Sequence, residues 1–235
     1  MKISLIIPTL NEAELIIQQI QSIREKSNKA DLEIIVVDAK IQDGTGELAR
    51  KAGATVVTID QSCRAKQMNA GVKEATGDVY FFVHADLTIP DGFVEDIKNG
   101  VAAGKDYGCY QVRFDPDSAG LKFNSRLSKY QGICFRGGDQ TLYMTRALFD
   151  EIGGFDDDVV NMEDYEILLR AKKYQKINIM PKQVVISSRK VQENGYFRSN
   201  ITNFLVFVMF FLGFSQKTLV RVYRAFVKGT KYKIA

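Results

Sequence analysis

Up to about Phe93 the chain alternates short apolar runs with segments in which apolar residues recur every three or four positions. Residues 3–7 form a β-rich run ended by Pro8, and Ile16, Ile17, Ile20 and Ile23 then recur at helical spacing. A second buried strand over residues 32–37 is closed by Asp38, and a short helix over 44–51 precedes a third strand at 55–59. A helix over 65–75 leads through Thr76, Gly77 and Asp78 into a fourth strand at 79–83. Strands apolar on both faces and separated by helices predict a parallel sheet joined by right-handed crossovers, a doubly wound α/β arrangement.

Beyond that point the pattern changes. Tyr110, Val112 and Phe114 alternate with polar residues, as in a half-exposed strand, and residues 141–145 form another short one. A helix near 165–174 and two short strands at 177–180 and 184–186 follow. The second half therefore reads as a mixed, partly antiparallel extension of the sheet. No internal repeat or low-complexity linker forces a domain boundary, and 235 residues suit one large domain with an ample core.

The net charge of +4 is unevenly placed. From Asn194 to the end there is no Asp or Glu, whereas Arg198, Lys217, Arg221, Arg224, Lys228, Lys231 and Lys233 contribute seven positive charges, so residues 1–193 carry a net −3. The basic excess belongs to a tail and gives no ground for nucleic-acid binding. The same tail holds the run FLVFVMFFLGF at residues 204–214, shorter than the roughly 20 residues that span a bilayer. Three placements suit it: a buried core helix followed by a solvated basic helix, a peripheral anchor on an anionic membrane surface, or a homodimer contact through residues 198–233. Cys63, Cys109 and Cys134 are odd in number and lack CxxC spacing, which argues against a disulfide framework or a zinc site. With no signal-peptide pattern at the N-terminus, the expectation is a cytoplasmic chain, membrane-associated if the tail acts as the anchor.

In an open α/β sheet, ligands bind at the carboxyl ends of the strands. Three polar clusters fall at such ends: Pro8, Thr9, Asn11 and Glu12 after the first strand, Asp38 after the second, and His84, Ala85 and Asp86 after the fourth. Helix capping and turn chemistry explain any one of them; their convergence on one edge points to a site. The absence of GxGxxG after the first strand, and of GxxxxGK[ST] anywhere, removes the dinucleotide and P-loop modes of phosphate binding. Asp86 is a hard oxygen donor suited to Mg²⁺ or Mn²⁺, ions that bridge to substrate phosphates and need few protein ligands.

The ordered set IIPTLNE, Asp38 with Asp43-Gly44-Thr45, NAGVKEATGDVYFFVHAD, GGDQ, GGFDD and MEDYEILLR resembles family 2 glycosyltransferases of the GT-A fold across nearly the whole chain. It is most similar to a small bacterial branch with HAD and GDQ motifs, some of whose members are assigned to arsenosugar biosynthesis. The resemblance implies a Rossmann-like nucleotide-diphospho-sugar transferase: a mixed, mostly parallel sheet flanked by helices over residues 1–193, with a C-terminal apolar and basic helical tail over 194–235. It implies a UDP- or GDP-sugar donor, an acceptor of unknown identity, and Mg²⁺ or Mn²⁺. Pro8, Thr9, Asn11, Glu12, Arg64, Asn69, His84 and Ala85 would line the donor site, and Asp38 would accept from the base. Asp86 would be the metal ligand. Met162-Glu163-Asp164 resembles the acidic pair before a helix in which the aspartate is the general base, so Asp164 would be the base and Glu163 would orient the acceptor, to which Gly138, Asp139 and Gln140 also belong. An inverting transfer is an in-line displacement, so one carboxylate opposite the leaving group suffices.

Two departures from the family pattern stand out. His84 replaces the first acid of the usual D-x-D, and Ala39-Lys40-Ile41-Gln42 replaces the small residues of DGGSTDGT. A nucleotidyltransferase-like enzyme, or a catalytically weak nucleotide-sugar-binding protein, are the alternatives. Arg189 reads as a solvated surface arginine, with a distal phosphate clamp as the alternative.

Overall fold

A computed structural model describes residues 1–28, 30–39, 43–116, 118–136 and 140–228, with the side chains of Arg189 and Lys190 excepted. Four parallel strands come first: β1 (Ile3–Thr9), β2 (Leu32–Ala39), β3 (Thr55–Ile59) and β4 (Val79–Phe82). Between them run α1 (Ile16–Lys26), α2 (Thr45–Lys51) and α3 (Arg64–Glu74). The two-residue β5 (Leu87–Thr88) and α4 (Phe93–Ala102) lead to β6 (Tyr107–Asp115). Then come α5 (Ala119–Leu127), a 3-10 turn (Ile133–Phe135), β7 (Leu142–Thr145), α6 (Arg146–Glu151), α7 (Glu163–Ala171) and β8 (Asn178–Ser187). Three helices close the described chain: α8 (Arg189–Asn194), α9 (Tyr196–Phe211) and α10 (Gln216–Phe226).

The strands form one sheet in the order β3-β2-β1-β4-β7-β6-β8-β5. Strand β7 runs antiparallel to both β4 and β6, β5 runs antiparallel to β8, and the remaining pairs are parallel. The order turns back on itself beside β1 and β4, where doubly wound sheets open a ligand crevice. Because successive side chains face opposite ways, the sheet has two apolar faces. Leu5, Ile7, Val36 and Phe81 pack with α1 and α4, whereas Ile6, Val37, Tyr80 and Phe82 pack with α3, α6 and α7. Gly71 sets the approach of α3: a Cβ there would lie 2.6 Å from Cγ2 of Ile6 and 2.9 Å from Cγ2 of Val37.

Two strand expectations are corrected. Pro8 does not end β1; the strand runs on to Thr9, paired with Asp38, and Pro8 falls beyond the last residue that β4 pairs with. The two short strands near 180 are one strand, β8, whose pairing with β6 steps from Tyr110 and Met180 to Gln111 and Gln183. Pro181 and Lys182 fall in that bulge, where a missing N–H is tolerated. The acidic pair also begins its helix, two residues before the predicted start. In the tail, residues 204–214 do not form a separate unit, because α9 begins at Tyr196 and turns at Gly213 (φ +78°) into α10.

Candidate active site

The ends of β1 and β2 are tied together by polar contacts. The Thr9 hydroxyl donates to Oδ1 of Asp38 at 3.1 Å, and the Gly46 amide donates to Oδ2 at 3.1 Å. Burial pushes the Asp38 carboxyl above its ordinary range, the nearby Asp43 adds to this, and the Thr9 and Gly46 hydrogen bonds oppose it. Asp43 closes a second tie: its oxygens accept from the backbone and hydroxyl of Thr45 and from the Ala13 amide, while Thr45 Oγ1 accepts from the Glu12 amide. Beneath them, Nε2 of Gln67 donates at 2.8 Å to the carbonyls of both Thr9 and Val37. Sequence reasoning missed Gln67, although a glutamine among the buried Ala65, Met68 and Gly71 of α3 is a signal.

The capping explanation for Thr9 and Asn11 fails. Helix α1 starts at Ile16, and its N-cap residue, Leu15, makes no side-chain cap bond. Thr9 is held by Asp38, and Asn11 is exposed with left-handed backbone, φ +57°. Glu12 is buried beside them. The His84-Ala85-Asp86 segment joins β4 to β5 and so links the two halves of the sheet. Its residues differ in exposure: Ala85 packs into the core, His84 is half-buried with its carbonyl 3.5 Å from Nε2 of Gln19, and Asp86 is exposed.

A second centre lies at the N-terminus of α7. Glu163, 2 % exposed, pairs with Nη1 of Arg64 at 3.7 Å, so the first turn of α7 meets the first turn of α3. Asp164 follows, half-buried. Burial pushes the Cys63 thiol up, and the Glu163 charge adds to the rise. Met162, just before the pair, has φ +73°, a conformation that costs of order 1–3 kcal/mol and persists only where the surroundings fix it. The tail supplies that support. Met162 packs against the cluster of Val206, Met209, Leu219 and Tyr223, and Oε1 of Gln216 accepts from the amides of Val160 at 3.2 Å and Asn161 at 3.0 Å. No local pattern marks Gln216, since its partners lie more than fifty residues away.

This support is testable. Gln216→Ala leaves the Val160 and Asn161 amides without their acceptor, and turnover of the full chain is expected to fall about tenfold with donor KM unchanged. Gln216→Glu keeps an acceptor oxygen and is expected to restore the rate. An equal loss in both variants would show that the tail does not position the acidic pair.

Asn69, expected at the donor, donates through Nδ2 to the Phe155 carbonyl at 2.7 Å and to Asp157 at 2.8 Å, and its Oδ1 accepts from the Phe155 amide. It staples the GGFDD loop to α3. Gly137, Gly138, Asp139, Lys40, Ile41, Gln42, Lys231, Lys233 and the Arg189 side chain lie outside the described structure. Gln140 is described, and with Tyr165 it lines a cavity of about 410 Å³ between α5, α7 and α9.

Among the described residues no group of three or more His, Cys, Asp or Glu is placed to hold a metal ion. The donor set at 84–86, one exposed carboxylate beside an imidazole, does not make a resident centre. It does fit a divalent ion that arrives with a diphosphate, which brings most of the oxygen ligands itself.

Solved structures share this architecture. The mannosyltransferase of Pyrobaculum calidifontis, determined with GDP-Man and Mn²⁺, aligns with a TM-score of 0.67 at 22 % identity, over 95 % of this chain and 68 % of that one. Residues 1–349 of S. aureus TarS, determined with UDP, align with a TM-score of 0.67 at 17 % identity, over 96 % and 70 %. These likenesses establish the GT-A fold. A dolichol-phosphate mannosyltransferase of Pyrococcus furiosus is 35 % identical over 118 residues, 46 % of this chain and 34 % of that protein. The succinoglycan biosynthesis protein ExoA of Rhizobium meliloti is 28 % identical over 190 residues, 72 % and 57 % respectively. The chain thus spans between a third and somewhat over half of these curated relatives. The sequence profile described as glycosyl transferase family 2 matches residues 4–156, most of the sheet and the whole β1–β2–β4 edge, and the chain belongs to that family.

Proposed function

We propose that the protein transfers a sugar, with inversion, from a UDP- or GDP-sugar to an acceptor hydroxyl. The observation that carries the reading is the Arg64–Glu163 pair, which brings the acidic start of α7 against the start of α3, beside the strand ends that carry Thr9 and Asp38. Thr9, Asn11 and Glu12 line the nucleotide pocket with Pro8, and Asp38 braces its floor while each of its oxygens keeps a lone pair for the base. Asp164 takes the proton of the acceptor hydroxyl as its oxygen attacks the sugar carbon and the bond to the nucleoside diphosphate breaks on the opposite face. Glu163 orients the acceptor, with Gln140 and the neighbouring Gly138 and Asp139. Asp86 holds Mg²⁺ or Mn²⁺, which neutralises the departing diphosphate. Residues 1–193 form the transferase body, and the HAD and GDQ motifs support its place in the small bacterial branch. The test is a thermal-stability screen of the full chain with UDP- and GDP-sugars plus Mn²⁺ or Mg²⁺. Stabilisation by at least one is expected, and none by any would overturn the reading.

The tail over 194–235 docks on an anionic lipid surface. Phe197, Ile201, Phe204, Leu205, Phe211 and Leu212 follow helical spacing and are all exposed, so the outward side of α9 is apolar. At 16 residues α9 is about 24 Å long, and no helix among the described residues is long and apolar enough to cross a membrane. On α10, Lys217, Arg221 and Arg224 are exposed on a face turned away from the buried Leu219 and Tyr223, and the exposed Lys228 follows the helix. The tail carries seven basic residues and no acid, a charge that suits an anionic surface. The chain is expected to sediment with vesicles of equimolar phosphatidylglycerol and phosphatidylcholine and not with phosphatidylcholine alone. Binding should weaken as salt rises from about 0.15 M to about 1 M, where the Debye length shrinks from about 8 to about 3 Å. Ile201→Glu should abolish it, and concentration-dependent dimerisation without vesicle binding would reverse the choice.

A further inference from the structure

The cavity between α5, α7 and α9 has a chemistry that the transferase reading does not supply. Its volume of about 410 Å³ lies in the range of small-molecule sites. Phe114, Phe135, Phe204 and Phe207 give it aromatic walls, and Tyr165, next in sequence to Asp164, closes one side. Arg136 is also in the wall, only 4 % exposed. Its Nη2 donates to the carbonyls of Ser128 and Tyr130, and its Nη1 contacts Sγ of Cys109 at 3.1 Å. Burial pushes the Cys109 thiol up, against the opposing pull of the Arg136 guanidinium. Nε of Arg136 has no partner among the described residues, and no carboxylate there lies within ion-pair distance of the guanidinium. A buried cation without an anion is costly, and an apolar cavity beside it offers the place where a ligand's anion would relieve that cost. Phe204 belongs both to the cavity and to the exposed apolar face of α9, so the wall continues onto the surface.

We infer that this cavity is the acceptor subsite and that the acceptor is an amphiphilic anion, an apolar body bearing a phosphate or carboxylate besides the hydroxyl that reacts. The inference rests on the transferase reading only in naming the ligand as the acceptor. Tyr165 ties the subsite to the proposed base: its hydroxyl donates to the Arg136 carbonyl, so the turn that carries Arg136 and the first turn of α7 are held together. Arg136, Phe114 and Phe135 lie within the segment that the family profile matches, whereas Tyr165, Phe204 and Phe207 lie beyond it.

Calorimetric titration of the full chain, without nucleotide sugar and below the micellar range, tests the inference with n-octyl phosphate, n-octanol and inorganic phosphate. Octyl phosphate is expected to bind at least tenfold more tightly than either of the others. Phe207→Ala should weaken it about tenfold, and Arg136→Gln should bring it down to the level of octanol. Octanol binding as well as octyl phosphate would remove the role of the charge, and inorganic phosphate binding as well would remove that of the apolar walls. An unchanged Phe207→Ala would place the ligand elsewhere and overturn the assignment. Because Arg136 also braces its turn, the octanol comparison and Phe207→Ala carry the test if Arg136→Gln does not fold. A parallel titration with 2-naphthyl phosphate separates a soluble aromatic source, favoured if the ring binds more tightly, from a lipid source, favoured if the chain does. Nucleotide-sugar stabilisation measured on the same protein separates the two readings. Stabilisation without octyl phosphate binding sinks the acceptor inference alone, and the reverse sinks the transferase reading while the anionic-amphiphile site stands.

Discussion

Asp164→Asn is expected to lower turnover by about 10²- to 10⁴-fold, the range that a positioned general base contributes, while donor affinity stays at the wild-type value. The substitution nearly conserves shape, and Asp164 sits half-buried in the first turn of a helix, where the interaction of its carboxylate with the helix N-terminus contributes about 0.3–1 kcal/mol. Activity and folding therefore separate in this variant. They do not in Glu163→Gln, because Glu163 is 2 % exposed and paired with Arg64, and its loss leaves a cation facing a buried amide. Single-turnover rates with donor binding measured separately, alongside thermal denaturation, distinguish the two. Wild-type turnover in Asp164→Asn would refute the base assignment, and weakened donor binding there would move Asp164 into the donor site.

The strands of the first half were legible in the sequence because they are buried on both faces: runs such as Ile34 to Val37 carry both apolar faces within four residues. The second half was less so. Pro181 signals a strand break by the usual rule, and only the extra residues of β8 opposite Tyr110 and Gln111 show how the strand continues past it. The tail shows a similar limit. An apolar helix reveals that something covers it, not what, and one side of α9 turns out to cover the Met162 turn while the other stays exposed.

Candidate site residues divide along the same line. Residues at strand ends, such as Thr9 and Asp38, stand out in sequence because the topology of an α/β sheet fixes where its ligands bind, and the structure hydrogen-bonds these two to each other. Asn69 and Gln216 act through contacts 86 and 55 residues distant, which no local spacing encodes. Arg136 was invisible for another reason: in sequence it is one arginine among many, and only burial with no carboxylate beside it among the described residues sets it apart.

Asp86→Ala carries the second large effect, expected in binding rather than in chemistry. A UDP- or GDP-sugar with Mn²⁺ at about a hundred times its Kd should stabilise the wild-type chain by about 2.7 kcal/mol. For a chain of this size that raises Tm by roughly 5–10 °C. In Asp86→Ala the gain should vanish, and because Asp86 is exposed, Tm without ligand should stay within what a surface change allows, about 0.5 kcal/mol. The neighbouring histidine makes the experiment sharper. With an imidazole where the resemblance implies a second acid, the protein would bring one carboxylate to the ion, and the substrate phosphates would hold the rest. His84→Asp adds a carboxylate without touching Asp86, so it should tighten Mg²⁺-dependent donor binding severalfold if position 84 faces the metal, since carboxylates suit Mg²⁺ better than imidazole does. If His84→Asp leaves that binding unchanged while Asp86→Ala abolishes it, the ion rests on Asp86 and the diphosphate alone. Full metal-dependent stabilisation of Asp86→Ala would remove Asp86 from the metal site altogether.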